Sequence, residues 1–306
     1  MKQMLTLIRR ELIEHRSGWA VPAVFGGLFV LAAVLALVGL VRFGVMDGTM
    51  TLSELSEEID AETIGAGLQI MLMSIAMVLN LVMSAVVFFY FLDALYSERK
   101  DRSILFWKSL PVSDLKVVAS KWLTGVLAIP LLTLVVFLVT GLLVSLIGGV
   151  GLVLGGAGEV LYSVPAALLR VTMMLLYTMM FQMLWFVPVD GWLLLVSAYA
   201  KRAVLGWALL PPLLVVVAEK TLLGTQRFAE MLGHRMTGGF ELAFSGERNV
   251  GLTIDDMGVV ESSLPMLGEF LTPGRLLAAP SLWVGIAIGV LFLAGVVWLR
   301  RWRDEA

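Results

Sequence analysis

The sequence predicts an all-α integral membrane protein with about six transmembrane helices. Three observations carry this expectation. Hydrophobic residues make up 59% of the chain and charged residues only 15%, against about 45–50% and about 25% in soluble domains. The apolar excess is gathered into runs long enough to cross a bilayer, which takes about 20 residues. The charges fall between these runs in short dense clusters. The net charge of −2 says little; its distribution says more. The chain has no cysteine, which excludes disulfides, thiolate metal sites and cysteine nucleophiles.

Residues 1–17 come first. Met1, Met4, Leu5, Ile8 and Leu12 recur at helical spacing, and Lys2, Arg9, Arg10, Glu14 and Arg16 mostly face elsewhere. This pattern predicts an amphipathic helix in the membrane interface; a basic flank that orients the first span is the simpler alternative. No short apolar stretch with a small-residue cleavage site occurs here, so a cleavable signal peptide is not expected. Residues 19–41 are the first span and 42–63 an acidic polar loop. The second span is 64–92 and the third 122–147, followed by a glycine-rich turn at 148–158. The fourth is 164–188, with apolar sequence continuing past Asp190 to Lys201-Arg202. That stretch is too long for one plain span, and a kink or break at 188–191 is expected where Pro188 interrupts the helix. The fifth span is 203–217, a polar segment covers 219–280, and the sixth span is 281–299.

An even number of spans puts both ends on one side. That side collects Lys2, Arg9, Arg10, Arg16, Arg99, Lys100, Arg102, Lys108, Lys116, Lys121, Lys201, Arg202, Arg300, Arg301 and Arg303. The positive-inside rule makes it cytoplasmic. Splitting 164–202 into two spans would send Arg300, Arg301 and Arg303 outside, against that rule.

The connection between the second and third spans is dense in charge and aromatics. Ser103 to Leu110 is expected to form a short helix carrying Phe106 and Trp107, with Asp101 or Ser103 as its cap. Pro111 ends it, and Ser113 is expected to cap the helix that leads into the third span. By composition this connection reads equally as a helix that inserts into a groove on a soluble partner and as an ordinary interfacial loop. Within the spans, Asn80 and Gln182 should point into the bundle, either as interhelical hydrogen-bond partners or as the lining of a translocation path. Arg170 is expected to snorkel to the interface, and Asp93 to be a helix-end group. Glycines between 141 and 158 should serve a turn and close packing. Residues 222–232 predict a helix on the outer surface, and 237–263, which show no period, a loop.

Enzyme chemistry finds little support. The only histidines, His15 and His234, lie outside any His-Glu-x-x-His pattern, so no metal site of that kind is expected. Lys220-Thr221 lacks the preceding glycines of a phosphate-binding loop. The chain is therefore expected to be no enzyme, to hold no cofactor of its own, and to work without nucleic acid. A non-motor membrane protein, either a secondary transporter or an assembly scaffold, is the alternative to a motor subunit; a secondary transporter would more often show a carboxylate within a span or matching broken helices, and neither is evident in the sequence, although the break near Pro188 keeps that alternative open.

The run Glu98-Arg99-Lys100-Asp101-Arg102-Ser103, then Leu110-Pro111-Val112-Ser113, then Lys121-Trp122 resembles the segment after the second span in bacterial permeases of the type-2 ABC transporter family. Pro188-Val189-Asp190-Gly191-Trp192 through Lys201-Arg202 is similar to that family too, as is a last span that opens Ser281-Leu282-Trp283 and closes Arg300-Arg301. The basic N-terminal helix and the long segment before the last span fit as well, so the resemblance covers most of the chain; 235–272 lies outside it. The resemblance implies a single transmembrane permease domain over 1–306 in a bacterial inner membrane, with both termini cytoplasmic. It implies a dimer with a second permease, identical or related, and a separate ATPase subunit that binds the ATP. It also implies that 98–115 is a coupling segment, with Glu98, Arg99, Lys100, Asp101, Arg102, Phe106, Trp107 and Leu110 at the ATPase contact, and that 219–280 is extracytoplasmic.

Overall fold

A computed structural model describes residues 2–46, 61–101, 112–154, 158–244, 252–254, 260–262 and 271–302. Among the described residues six helical stretches are long and apolar enough to cross a membrane. Helix α1, Lys2–Glu14, precedes α2, Ser17–Met46, and α3, Ala61–Asp93. The short α4, Tyr96–Lys100, follows. Helix α5, Asp114–Leu123, continues through a π turn, Thr124–Ala128, into α6, Ile129–Leu154. Then come α7, Val164–Trp185, α8, Val187–Tyr199, and α9, Val204–Ala218. The polar segment holds α10, Arg227–Gly233, and α11, Gly239–Ala243, joined by a π turn, His234–Gly238. It also holds an antiparallel hairpin of β1, Leu252–Ile254, and β2, Val260–Ser262. Helices α12, Pro273–Ala278, and α13, Pro280–Trp302, complete the described chain.

Helix α3 is the centre of the bundle. Leu72, Ile75, Leu79, Met83, Val86 and Tyr90 are buried at steps of three and four, so one stripe of α3 faces its neighbours throughout. It touches α2, α6, α7 and α8. Large residues elsewhere, such as Leu35 on α2, Val139 on α6 and Leu213 on α9, are exposed, as expected of helices whose outer surface meets lipid.

The long stretch 164–202 breaks at Phe186, with φ −87 and ψ 5. Pro188 lies just inside the new helix, where its missing amide is harmless. The stretch still crosses the bundle once. A Cβ on Gly65, early in α3, would stand 3.7 Å from Ser163. Gln182 reaches Ser84 at 3.4 Å, and Ser197 accepts from the Leu95 amide at 3.0 Å. Helices α7 and α8 thus run parallel to α3 from its start to beyond its end.

Three local expectations change. The turn at 148–158 is helical as far as Leu154. Within that helix Gly149 serves packing: a Cβ there would lie 2.5 Å from Leu161, whereas one on Gly148 would meet nothing within 4 Å. Ser113 does occupy the cap position of α5, yet its side chain makes no capping bond; its carbonyl accepts from the Lys116 amide at 2.9 Å. Within the loop expected over 237–263, Gly239–Ala243 is helical and Leu252–Ile254 pairs with Val260–Ser262. Phe240 and Phe244, spaced four apart, both pack edge-on against Phe181 of α7, and those ring contacts organise a segment whose polarity suggested none.

Candidate functional site

Two places in the fold concentrate polar groups. The first lies where α1, α3, α4, α5, α8 and α13 meet at one end of the bundle. Helix α1 turns Met4, Leu7, Ile8, Glu11, Leu12 and His15 toward the protein, leaving Leu5, Arg9 and Ile13 exposed. A carboxylate on the inward face needs a partner. Lys121 of α5 supplies it: the fully buried ammonium donates to Glu11 Oε1 at 2.9 Å and Oε2 at 3.0 Å, and lies 3.1 Å from Glu98 Oε1. The Tyr90 hydroxyl stands 3.3 Å from Glu11 Oε2 and 3.1 Å from the Lys121 carbonyl. Arg300, near the end of α13, donates from Nη1 to Glu98 Oε2 at 3.1 Å and from Nε to Asp114 Oδ1 at 3.0 Å. Arg10 stands 3.8 Å from Glu98. Opposite charges therefore alternate through the cluster, as burial demands. Asp93 ends α3, with His15 Nε2 3.5 Å away.

The start of α4 is fixed to α8. The Ser197 hydroxyl accepts from the amides of Leu95 and Tyr96, each at 3.0 Å, which are orphan donors at a helix start. Arg99 donates to the carbonyls of Ser197 and Ala200 at the end of α8, where carbonyls lack helical partners. Of the expected coupling residues, Glu98 is only 1% exposed, and Arg99 is engaged by α8. Lys100 and Asp101 are exposed. Arg102, Phe106, Trp107 and Leu110 lie outside the described residues.

The second place is a cavity of about 610 Å³ between α3, α7 and α8, beside the break at Phe186. Its wall is apolar and rich in thioethers, with Met73, Met77, Met174, Met179, Met183 and Met236 among the lining residues. Asn80 and Gln182 both line it, so the two polar residues singled out within the spans do meet. Gln182 Nε2 donates to Ser84 Oγ at 3.4 Å, and Ser84 donates to the Asn80 carbonyl at 2.9 Å. The amide oxygens of both residues, Asn80 Oδ1 and Gln182 Oε1, have no donor among the described residues.

Met236, Phe240 and Phe244 close one side. They are held there by Arg235, which lies over the Trp185 ring at 4.5 Å and donates to the Ser281 carbonyl at 3.0 Å. Trp185 Nε1 returns a bond to the Arg235 carbonyl at 2.7 Å, and the Tyr177 hydroxyl donates to the Ala243 carbonyl at 2.9 Å. Burial lowers the Arg235 pKa from its usual value, but a guanidinium stays charged.

Among the described residues that line the cavity, Asp190 is the only charged one. It is 8% exposed; its backbone amide bonds the Phe186 carbonyl, and among the described residues no hydrogen bond or neighbouring charge acts on its carboxyl group. In the sequence, Asp190 is only an interruption of the apolar run that follows Pro188. The signal was a lone carboxylate in a helix of 13 otherwise uncharged residues, which in a membrane points to function first. Glu11, Lys121 and Arg300 were also missed as a set. They come from distant parts of the chain, and only the fold unites them. No cluster of metal-ligating residues occurs among the described residues. Comparison of the chain with protein-family models, curated proteins and solved structures finds no match in any of the three.

Proposed function

We propose that this chain is the membrane-embedded permease subunit of an ATP-driven exporter in a bacterial inner membrane, driven by a separate ATPase subunit and paired with a second permease. One observation supports it most. The connection after the second span is rooted in the bundle at its basic end, through Glu98 to Lys121 and Arg300 and through Arg99 to α8. A plain loop needs no such anchorage; a segment that receives force does, because displacement reaches the spans only through contacts that do not slip. Glu98 and Arg99 then act as anchors. The outward contact falls to Lys100 and Asp101, with Arg102, Phe106, Trp107 and Leu110 beyond them. By the positive-inside rule this end is cytoplasmic, where an ATPase is found.

Purification from the native host is expected to bring down an ATP-hydrolysing subunit. Trp107→Ala should weaken that association by about 2 kcal/mol, the scale of an aromatic hot spot, while leaving membrane insertion intact. Unchanged co-purification together with unchanged transport would sink the proposal. Reversing Glu98 and Arg99 is a poor test, because a cation at 98 would meet Lys121 and Arg300 and disturb folding. Lys100→Glu with Asp101→Lys tests the same end at exposed positions, and reduced ATPase binding is expected.

A second reading, a secondary transporter, is favoured by Asp190 beside the α7–α8 break. Transport in vesicles that continues without ATP and collapses with the ion gradient would select it.

A further inference from the structure

We propose that the cavity beside Phe186 binds an amphipathic monocation, an apolar body carrying one positive charge, with Asp190 as its counter-ion. The inference takes up the path assigned to the permease, but it stands on cavity geometry, and its test needs no ATPase. Four observations converge. The volume, about 610 Å³, suits a small organic molecule, for which sites commonly span about 300–1,000 Å³. The wall offers methionine sulfur and the rings of Phe88, Phe186, Phe240 and Phe244, which are polarisable surfaces that attract a cation as well as an apolar body. Among the polar atoms around the cavity, the amide oxygens of Asn80 and Gln182 lack a donor among the described residues, and the Asp190 carboxyl is the one charge-bearing group among the described lining residues.

A carboxyl group in apolar surroundings ionises only at a cost, and a bound cation relieves that cost. An anion would meet the acid with no basic residue among the described lining to offset it, and a neutral ligand would gain nothing from its ionisation. The fourth observation is the mouth. Met77 and Leu81, both on the rim contributed by α3, are 76% and 70% exposed, so a molecule dissolved in the bilayer reaches the cavity from the side.

The test uses the full chain in lipid nanodiscs with radiolabelled tetraphenylphosphonium as probe. Saturable binding is expected. Asp190→Asn should lower it at least about tenfold, the scale on which unpairing a buried charge acts, while leaving the elution profile unchanged and the thermal transition no lower. Met174→Trp, which fills the void from α7 and leaves Asp190 in place, should lower binding as well. Triphenylphosphine oxide, similar in its rings but uncharged, should fail to displace the probe at equal concentration. Absence of saturable binding overturns the proposal. So does equal binding by Asp190→Asn, by a folded Met174→Trp, or of the neutral compound. Because none of these outcomes involves an ATPase, failure here leaves the permease reading standing, and loss of the ATPase partner leaves this site standing.

Discussion

Glu98 and Asp190 are both carboxylates buried in the same bundle, 1% and 8% exposed, and their surroundings are opposite. Glu98 lies between Lys121 and Arg300, each at 3.1 Å. Asp190 borders a void and has no charged partner. Burial alone therefore does not say what an acid does. A compensated carboxylate fastens elements together, and removing its partner is expensive. An uncompensated one burdens the fold, and it lies where something else is meant to enter.

The largest expected effect tests the compensated side. Lys121→Met leaves Glu11 and Glu98 facing each other without the ammonium between them. It should lower stability by about 3–5 kcal/mol, measured by thermal or denaturant unfolding in detergent. Replacing Glu11 by Gln in the same chain should recover part of that loss, because a buried charge goes with it. Next, Tyr90→Phe removes a hydroxyl within 3.3 Å of Glu11 and 3.1 Å of the Lys121 carbonyl; a loss of about 1 kcal/mol is expected by the same assay.

The contrast sharpens with Asp190→Asn, where the sign should reverse. Without ligand, the variant should unfold at the same or a higher temperature, by up to about 1 kcal/mol of added stability, since an acid that ionises there only at a cost is replaced by a neutral group of the same shape. A loss as large as that of Lys121→Met would erase the distinction between the two sites. Smallest of all, Lys100→Glu at an exposed position should change stability by less than about 0.5 kcal/mol, so any defect it causes in ATPase binding is not a folding defect.

Much of the fold was legible because hydrophobic length is a direct physical requirement of a membrane span. Residues 19–41, 64–92 and 281–299 fall within α2, α3 and α13, and Pro188 announced the break that the chain makes at Phe186. Where the sequence misled, the cause was packing between distant segments. Gly149 reads as a turn residue until Leu161 is beside it, and Phe240 and Phe244 read as incidental until Phe181 is found across from them. Asn80 and Gln182 were identifiable one at a time as polar guests, and the fold brought both to one cavity. The ion cluster was illegible for a further reason. Lys121 and Arg300 obey the positive-inside rule, and that rule explained them well enough to conceal their pairing with Glu98.

Helices α8 and α13 touch backbone to backbone: a Cβ on Gly191 would lie 2.9 Å from the Gly289 carbonyl, and one on Gly289 2.8 Å from the backbone of Val187. So close a backbone contact, flanked by the Val187 side chain and the Trp192–Phe292 ring pair, lets the two helices behave as a single girder. One end of that girder holds Arg300 and the carbonyls gripped by Arg99; about 10 Å along it, at a rise of about 1.5 Å per residue from Ser197, stands Asp190. On the proposed function, a pull on the charged connection would therefore reach the helix that carries that acid, and a guest lodged against the acid would bear on the same helix.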